Sequence, residues 1–377
     1  MKVRSAIHIW LGTRPEVIKM APLVRQLKSM DSMDVTVIGS GQHRELFNDA
    51  LSTFNINVDI YFKCMATGQT LTTLSKKIIE GFEQVITERK PDLVLVHGDT
   101  LTAASVTFAA YLHGIPVGHV EAGLRSHDIK SPWPEEGNRR IIDSMSTLHF
   151  APTQEALNNL ENEGSAKLAF MTGNTIVDAL NFSLSEARNN LETSNEVNEI
   201  LGKYSSRPAI LVTQHRREKF GAPIEKIFES LIQMADMGAH VIFPVHMNPN
   251  VEIPARRILG GREGITLLGP LRYATFLLLM SKSKIVVTDS GGIQEECPSL
   301  GIPVLITRDI TERPEVINSG GGILVGDDTE LLLSSVRELL LFSTLYQKMA
   351  LAKSPYGDGN ASIRIAKHCL DYLSLVP

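Results

Sequence analysis

Reactive side chains in this 377-residue chain gather directly behind short apolar runs. Asp99, Glu121 and Glu135 fall in HGDT, EAGLR and PWPEE, with His97 and His119 beside the first two. Clustered carboxylates whose surroundings push their pKa values apart are what general acid and base catalysis needs. Each of the three also reads as an ordinary helix cap, or as a glutamate favoured by the dipole of a helix's first turn. In the second half, Asp289-Ser290-Gly291-Gly292 lies between the apolar Ile285-Val286-Val287 and a helix expected over 293–300. Two glycines there expose backbone N–H groups at a helix N-terminus, a geometry that suits a diphosphate. A plain capped strand-to-helix turn fits the same residues. Glu295 or Glu296, in that helix, could reach a ribose diol or simply lie on a solvated face. Arg14 in Gly12-Thr-Arg-Pro-Glu is placed for an anion, while Pro15 is equally a good first helical residue.

The elements that must hold these groups follow from the hydrophobic pattern. Apolar runs at 6–11, 35–38, 93–96 and 117–120 are each followed by a segment of helical character. Val17, Met20, Leu23, Val24 and Leu27 make one apolar helical stripe, and Ile78, Ile79, Phe82, Val85 and Ile86 another. The strands are runs rather than alternations, as expected for a parallel sheet covered on both faces. A polar, weakly periodic stretch over 183–208 interrupts the series, which restarts at 209–212 and continues at 240–245, 265–268, 284–288, 303–306 and 322–325. The expectation is an α/β protein of two Rossmann-like, doubly wound domains facing across a cleft: 1–182, completed by a C-terminal helix in 360–377, and 183–359. Ligands of such sheets bind outside the carboxyl ends of the strands, where the polar residues cluster.

Composition narrows the function. Lys plus Arg number 37 and Asp plus Glu 42, a net charge of −5, so no bulk cationic field exists for nucleic acid or anionic lipid. The three cysteines, Cys64, Cys297 and Cys369, are scattered and lack CxxC spacing, which argues against disulfides or structural zinc and for a reducing cytoplasm. The run 6–11 is shorter than the ~7 to 15 residues of a signal core, and no run approaches the ~18 of a membrane span. No HExxH or comparable set suggests a metal, no GxSxG suggests a serine hydrolase, and the single glycine behind the first strand, in place of GxGxxG, argues against NAD.

Ten segments taken together are specific: GTRPEVIKMAPL (12–23), GQHRE (41–45), HGDT (97–100), VGHVEAGLRS (117–126), SPWPEEGNRR (131–140), TGNTIVDAL (172–180), HRREKFG (215–221), TDSGGIQEE (288–296), RDITERPE (308–315) and PYGDG (355–359). In order and over nearly the whole chain, they resemble the non-hydrolysing bacterial UDP-N-acetylglucosamine 2-epimerases. The resemblance implies a GT-B fold and cofactor-free interconversion of UDP-GlcNAc and UDP-ManNAc, by anti elimination of UDP to 2-acetamidoglucal and re-addition. It further implies a supply of ManNAc-type sugars for surface polysaccharide, and a homodimer. By motif position, Asp99, Glu121 and Glu135 match the family's acid/base carboxylates and His215 its diphosphate-side histidine. Arg14, Ser290, Gly291, Gly292, Glu296 and Arg313 match its UDP-binding residues. Gln42, His43, Gln69 and His246 match positions at which many members bind a second UDP-GlcNAc as activator. Gln214 stands where Gly is usual, Lys219 where a smaller polar residue is, and Ser40 where Thr is common, which leaves the sugar selectivity open. A GT-B glycosyltransferase, an epimerase of a modified UDP-HexNAc and a UDP-sugar sensor are the alternatives, and the three carboxylates favour epimerisation.

Overall fold

A computed structural model of the chain describes residues 4–40, 44–62, 64, 68–311, 313–341 and 343–375. The chain divides into two compact units, Met1–Asn181 with Tyr356–Pro377, and Phe182–Pro355. In the first, parallel strands β1 (Ser5–Leu11), β2 (Met33–Gly39), β3 (Ile60–Tyr61), β4 (Leu93–His97), β5 (Val117–Val120), β6 (Leu148–Ala151) and β7 (Ala169–Met171) lie in the order β3-β2-β1-β4-β5-β6-β7. Ile7 of β1 pairs with Val35 of β2 on one side and Leu93 of β4 on the other. The order reverses between β1 and β4, and the loops behind β1, β4 and β5 carry Gly12 to Glu16, Gly98-Asp99 and Glu121.

Local chemistry explains why these elements form. All of β1 except Ser5 is buried, because helices cover both faces. The helix Arg14–Lys28 begins with Glu16 reaching back to accept the Thr13 N–H at 2.6 Å, and it buries Val17, Met20, Leu23, Val24 and Leu27. The helix Leu71–Glu88 buries Leu74, Ile78, Phe82 and Val85, with the Phe82 ring 5.5 Å from that of Trp10. The last helix, Ala361–Leu375, packs against Arg14–Lys28. It starts where the Asp178 carboxylate accepts the Ala361 and Ser362 N–H groups at 3.2 and 2.8 Å.

The second unit repeats the scheme with β8 (Ala209–Thr213), β9 (His240–Pro244), β10 (Ile265–Leu268), β11 (Ile285–Thr288), β12 (Val304–Ile306) and β13 (Gly322–Leu324), in the order β10-β9-β8-β11-β12-β13. Its core joins Ile210, Val212, Phe228, Leu231, Phe243, Val287 and Leu305. The order reverses between β8 and β11, so His215 and the Asp289 to Gly292 loop follow the two strands at the switch.

Two sequence readings differ from the structure. Strands β3, β6 and β7 were not expected: β3 has two residues, His149 interrupts the apolar run of β6, and β7 is a three-residue edge strand with Met171 exposed. The 183–208 stretch is mostly helical, in Thr175–Asn189 and Leu191–Gly202, rather than a break in the pattern. Asn190 caps the second of these by accepting the Thr193 N–H at 3.0 Å. Only Thr193 and Val197 of that helix are buried, a stripe too thin to show as periodicity, and it packs on the helix Tyr273–Ser281. Among the described residues no helix is long and apolar enough to cross a membrane.

His240, at the head of β9, is fully buried with Nε2 2.9 Å from Thr266 Oγ1 and no partner for Nδ1. Burial, with Lys203 and Arg207 nearby, pulls its pKa down to about 4. The unfolded chain therefore takes up this proton first, and stability present above the ordinary histidine pKa is lost as the pH falls towards 4. Denaturant unfolding should show the advantage of wild type over His240→Gln shrinking by about 2 kcal/mol between about pH 7.5 and about pH 5. An advantage that does not change over that interval would show that the imidazole is not held neutral.

Candidate active site

Glu121 follows β5 in a left-handed backbone conformation, φ 69°, which costs a residue with a Cβ about 1 to 2 kcal/mol. Its carboxylate is enclosed, with 8% of the side chain exposed. Lys19, from the helix behind β1, forms an ion pair with Oε2, and the same oxygen accepts Asn174 Nδ2 at 3.1 Å and lies 3.7 Å from His97 Nε2. The Asn174 backbone N–H donates to the Tyr356 carbonyl at 2.8 Å, which brings the 355–359 segment to the same place. A carboxylate held in a dry setting beside a cation and an imidazole has the surroundings of a proton-transfer group.

Asp99, behind β4, is fixed twice: Arg139 NH2 donates to Oδ2 at 2.6 Å, and Asn138 Nδ2 donates to its backbone carbonyl at 2.8 Å. Both partners sit in the helix Glu135–Met145. Arg139 also pairs with the fully buried Glu136, which accepts the Ser126 N–H and Arg140 Nε as well. Glu135 opens that helix, with an enclosed Oε2 that has no hydrogen-bond partner. Glu16 ties the two loops at the switch point together. Its carboxylate accepts the Gly12 and Thr13 N–H groups and the Thr13 hydroxyl through Oε2, and the Thr100 hydroxyl at 2.8 Å through Oε1. Burial pushes it up to about 7 although these donors pull the other way. Gly12 is required here, because a Cβ would lie 2.3 Å from Thr102 Oγ1.

In the second unit the buried Asp289 organises the loop behind β8. Its Oδ2 accepts the His215 and Arg216 N–H groups at 2.7 and 2.8 Å, and Oδ1 lies 2.9 Å from His215 Nδ1. Burial would raise the Asp289 carboxyl, but His215 and these N–H groups hold it below the usual carboxylate range. The His215 ring stacks on that of His246 with centroids 5.8 Å apart. Burial and the neighbouring His215 lower the His246 pKa. Ser290 stands at the N-cap position of the helix Gly291–Ser299 without a capping side-chain hydrogen bond, and the first-turn N–H groups have no acceptor within the helix. The Arg313 guanidinium lies over Gly291, and its Nε donates to Glu295 at 2.8 Å. Glu296 accepts the Tyr273 hydroxyl at 2.9 Å. Lys219, with 2% of its side chain exposed, bridges Asp309 and Asp327 and so joins the loops behind β8, β12 and β13. Burial works against the Lys219 charge, but the two carboxylates raise its pKa above the usual lysine value.

The sequence reading places Glu121 and Asp99 in loops that the structure pins with cations, and Glu135 at the start of the helix that holds Asp99. His215, Ser290, Gly291, Gly292, Glu296 and Arg313 lie behind β8, behind β11 and before the helix Pro314–Asn318 of the second unit. Arg14 begins the helix behind β1. Gln69 accepts from Lys77 Nζ at 3.5 Å in the first unit, His246 belongs to the second, and Gln42 and His43 lie outside the described residues. Sequence reasoning passed over Lys19, Asn174, Arg139, Glu16 and Tyr273. One signal was present: Lys19 stands in the otherwise apolar run Val17-Ile18-Lys19-Met20-Ala21 of its helix. Among the described residues no group of three His, Cys, Asp or Glu side chains gathers to hold a metal ion.

The chain is similar to known proteins over nearly its whole length. The family model described as UDP-N-acetylglucosamine 2-epimerase matches residues 25–370. A probable UDP-N-acetylglucosamine 2-epimerase of Ralstonia nicotianae is 45% identical over 376 residues, covering 98% of this chain and 99% of that one. The UDP-N-acetylglucosamine 2-epimerase of Escherichia coli K12 is 44% identical over 363 residues, 94% of this chain and 95% of that one. A crystal structure of UDP-GlcNAc 2-epimerase from Neisseria meningitidis bound to UDP-GlcNAc superposes with a TM-score of 0.91 at 41% identity, covering 97% of this chain and 100% of that one. The architecture is the expected α/β fold of GT-B type, with two doubly wound parallel sheets.

Proposed function

The chain belongs to the UDP-N-acetylglucosamine 2-epimerase family, and we propose that it interconverts UDP-GlcNAc and UDP-ManNAc by eliminating UDP to 2-acetamidoglucal and adding it back. One observation carries the reading: in a chain of this family, carboxylates pinned by cations stand behind β4 and β5 of one unit, Asp99 partly exposed and Glu121 enclosed, and an N-terminal helix turn suited to diphosphate stands behind β11 of the other. Abstraction of the weakly acidic C2 proton falls to Asp99, Glu121 and Glu135, which also return a proton to the opposite face. UDP leaves with the C1–O bonding pair, one negative charge more than its diphosphate carries in the substrate, stabilised by Ser290, Gly291, Gly292, Arg313 and His215, with Glu296 on the ribose and Arg14 at the nucleotide end. No cofactor enters the scheme, since the electrons of the C2–H bond expel the leaving group. Asp289 keeps His215 aimed, and the lowered pKa of His246 beside it limits positive charge on that pair of rings.

We assign the enzyme to the cytoplasm, where nucleotide sugars are made, and to a homodimer. The second assignment is supported by Phe108, Tyr111 and Leu112, exposed on one face of the helix Leu101–Leu112, and by exposed Ile141 on the helix packed beside it. Light scattering should give twice the chain mass, and Tyr111→Glu should lower it to one chain; a monomeric wild type would overturn the assignment.

Proton NMR of UDP-GlcNAc with the enzyme in D2O should show deuterium entering C2 without any acceptor. Asp99→Asn, Glu121→Gln and Glu135→Gln should each slow this exchange by ~100 to 10,000-fold while the protein stays folded. UDP release that depends on an added acceptor, with no C2 exchange, would make the protein a glycosyltransferase instead.

Activation by UDP-GlcNAc through Gln42, His43, Gln69 and His246 completes the proposal. Initial rates with pure UDP-ManNAc should lag and be stimulated by trace UDP-GlcNAc. Immediate full-speed turnover would remove the activation and leave the epimerase reading standing.

A further inference from the structure

Glu121 and the turn around it are gripped from beneath by a side chain that takes no part in the scheme above. Asp143 belongs to the helix Glu135–Met145, and its side chain is 1% exposed. Its Oδ1 lies 2.6 Å from Nδ1 of His119, two residues before Glu121. Its Oδ2 accepts the N–H of Gly123, two residues after Glu121, at 3.2 Å, and lies 2.7 Å from Arg125 NH2. Between these two anchors the N–H groups of Glu121 and Ala122 both donate to the Phe150 carbonyl at 3.1 Å. We infer that Asp143 is a positioning residue of the epimerase, clamping the chain on both sides of Glu121 so that its left-handed conformation keeps the carboxylate on Lys19 and Asn174.

The inference rests on the proton-transfer role given to Glu121. A glutamate at φ 69° persists only where its surroundings over-determine it. Gly123 has no freedom to yield: it sits at φ 83°, and a Cβ there would lie 2.1 Å from the Ala156 carbonyl oxygen. The clamp also has a firm base, because Arg125 is held by Glu163 at 2.9 and 2.6 Å and donates to the Leu124 carbonyl. His149 Nε2 lies 2.8 Å from the carbonyl of Asp143 itself and fixes its backbone. Burial would raise the Asp143 carboxyl, but His119 and Arg125 hold it at about 2, so the clamp keeps its charge at neutral pH. On its far side His119 places Nε2 2.8 Å from the Gly98 carbonyl, adjacent to Asp99. One enclosed acid thus sets the Glu121 turn directly and reaches the Asp99 loop through a single imidazole.

The test compares wild type, Asp143→Asn, Glu121→Gln and the double variant. Asp143→Asn should keep wild-type circular dichroism, bind UDP-GlcNAc within ~threefold of wild type and lose ~100-fold in kcat, the cost of a small misplacement of a reacting group. The double variant should be only slightly slower than Glu121→Gln alone and far from the product of the two losses, because most of what the clamp positions is gone with the carboxylate and only its indirect hold on the Asp99 loop remains. Losses that multiply in the double variant, or a kcat for Asp143→Asn close to wild type, would overturn the clamp. A near-wild-type kcat for Glu121→Gln would instead overturn the role on which the inference rests. Should Asp143→Asn fail to fold, His119→Gln, which loosens the same bridge, carries the comparison with the same expected and overturning results.

Discussion

A carboxylate taken out of water must be surrounded by donors or paired with a cation, since leaving it bare costs several kcal/mol. The first unit meets this requirement repeatedly, and each time at least one partner comes from another segment. Glu16 gathers donors from its own loop and from Thr100, 84 residues away. Glu121 draws on Lys19, 102 residues back, and on Asn174, 53 residues ahead. Glu136 holds Ser126 and Arg139, and Arg139 then holds Asp99. Asp178 accepts the first N–H groups of the last helix, more than 180 residues on. The loops behind β1, β4 and β5 are therefore fixed by the need to satisfy buried charge as much as by the packing of the sheet beneath them.

In the second unit the same requirement acts through fewer groups. Asp289 is the buried acid at its switch point, and its partners are the backbone and ring of His215 and the Arg216 N–H. Lys219 supplies the reverse case, a buried cation whose two carboxylates reach in from the surface. That pairing explains how a lysine is buried in HRREKFG: Asp309 and Asp327 neutralise it, and the bridge links neighbouring loops. Electrostatic catalysis depends on groups that do not have to reorganise as charge develops, and both units hold their loops in that manner.

Strain at Glu121 belongs to the same arrangement. A left-handed glutamate is an unfavourable choice for a turn, and the fold maintains it with hydrogen bonds from β6 and from a buried acid on the neighbouring helix. The result is a side chain that turns back onto the Lys19 helix instead of continuing the line of β5.

Much of the architecture can be read from local pattern. Runs of apolar residues such as 6–11, 93–96 and 117–120 can bury both faces, so they mark central parallel strands, and Thr13 with Glu16 or Asp289-Ser-Gly-Gly mark helix starts by their own chemistry. Those signals act over a few residues, and a sequence displays them directly. The candidate acids could be named for the same reason, since Asp99 and Glu121 follow strands and Glu135 opens a helix behind two prolines. Short edge strands such as β3 and β7 escaped because two or three residues establish no period, and the helix Leu191–Gly202 escaped because it buries only two side chains. What tertiary structure alone decided is which charge meets which: Lys19 with Glu121, Arg139 with Asp99, Asp143 with both His119 and Gly123, and Lys219 with Asp309 and Asp327. An ionic contact or a hydrogen bond is short-ranged and has no sequence period, so its partner is settled only when the sheet order has brought distant loops within a few ångströms.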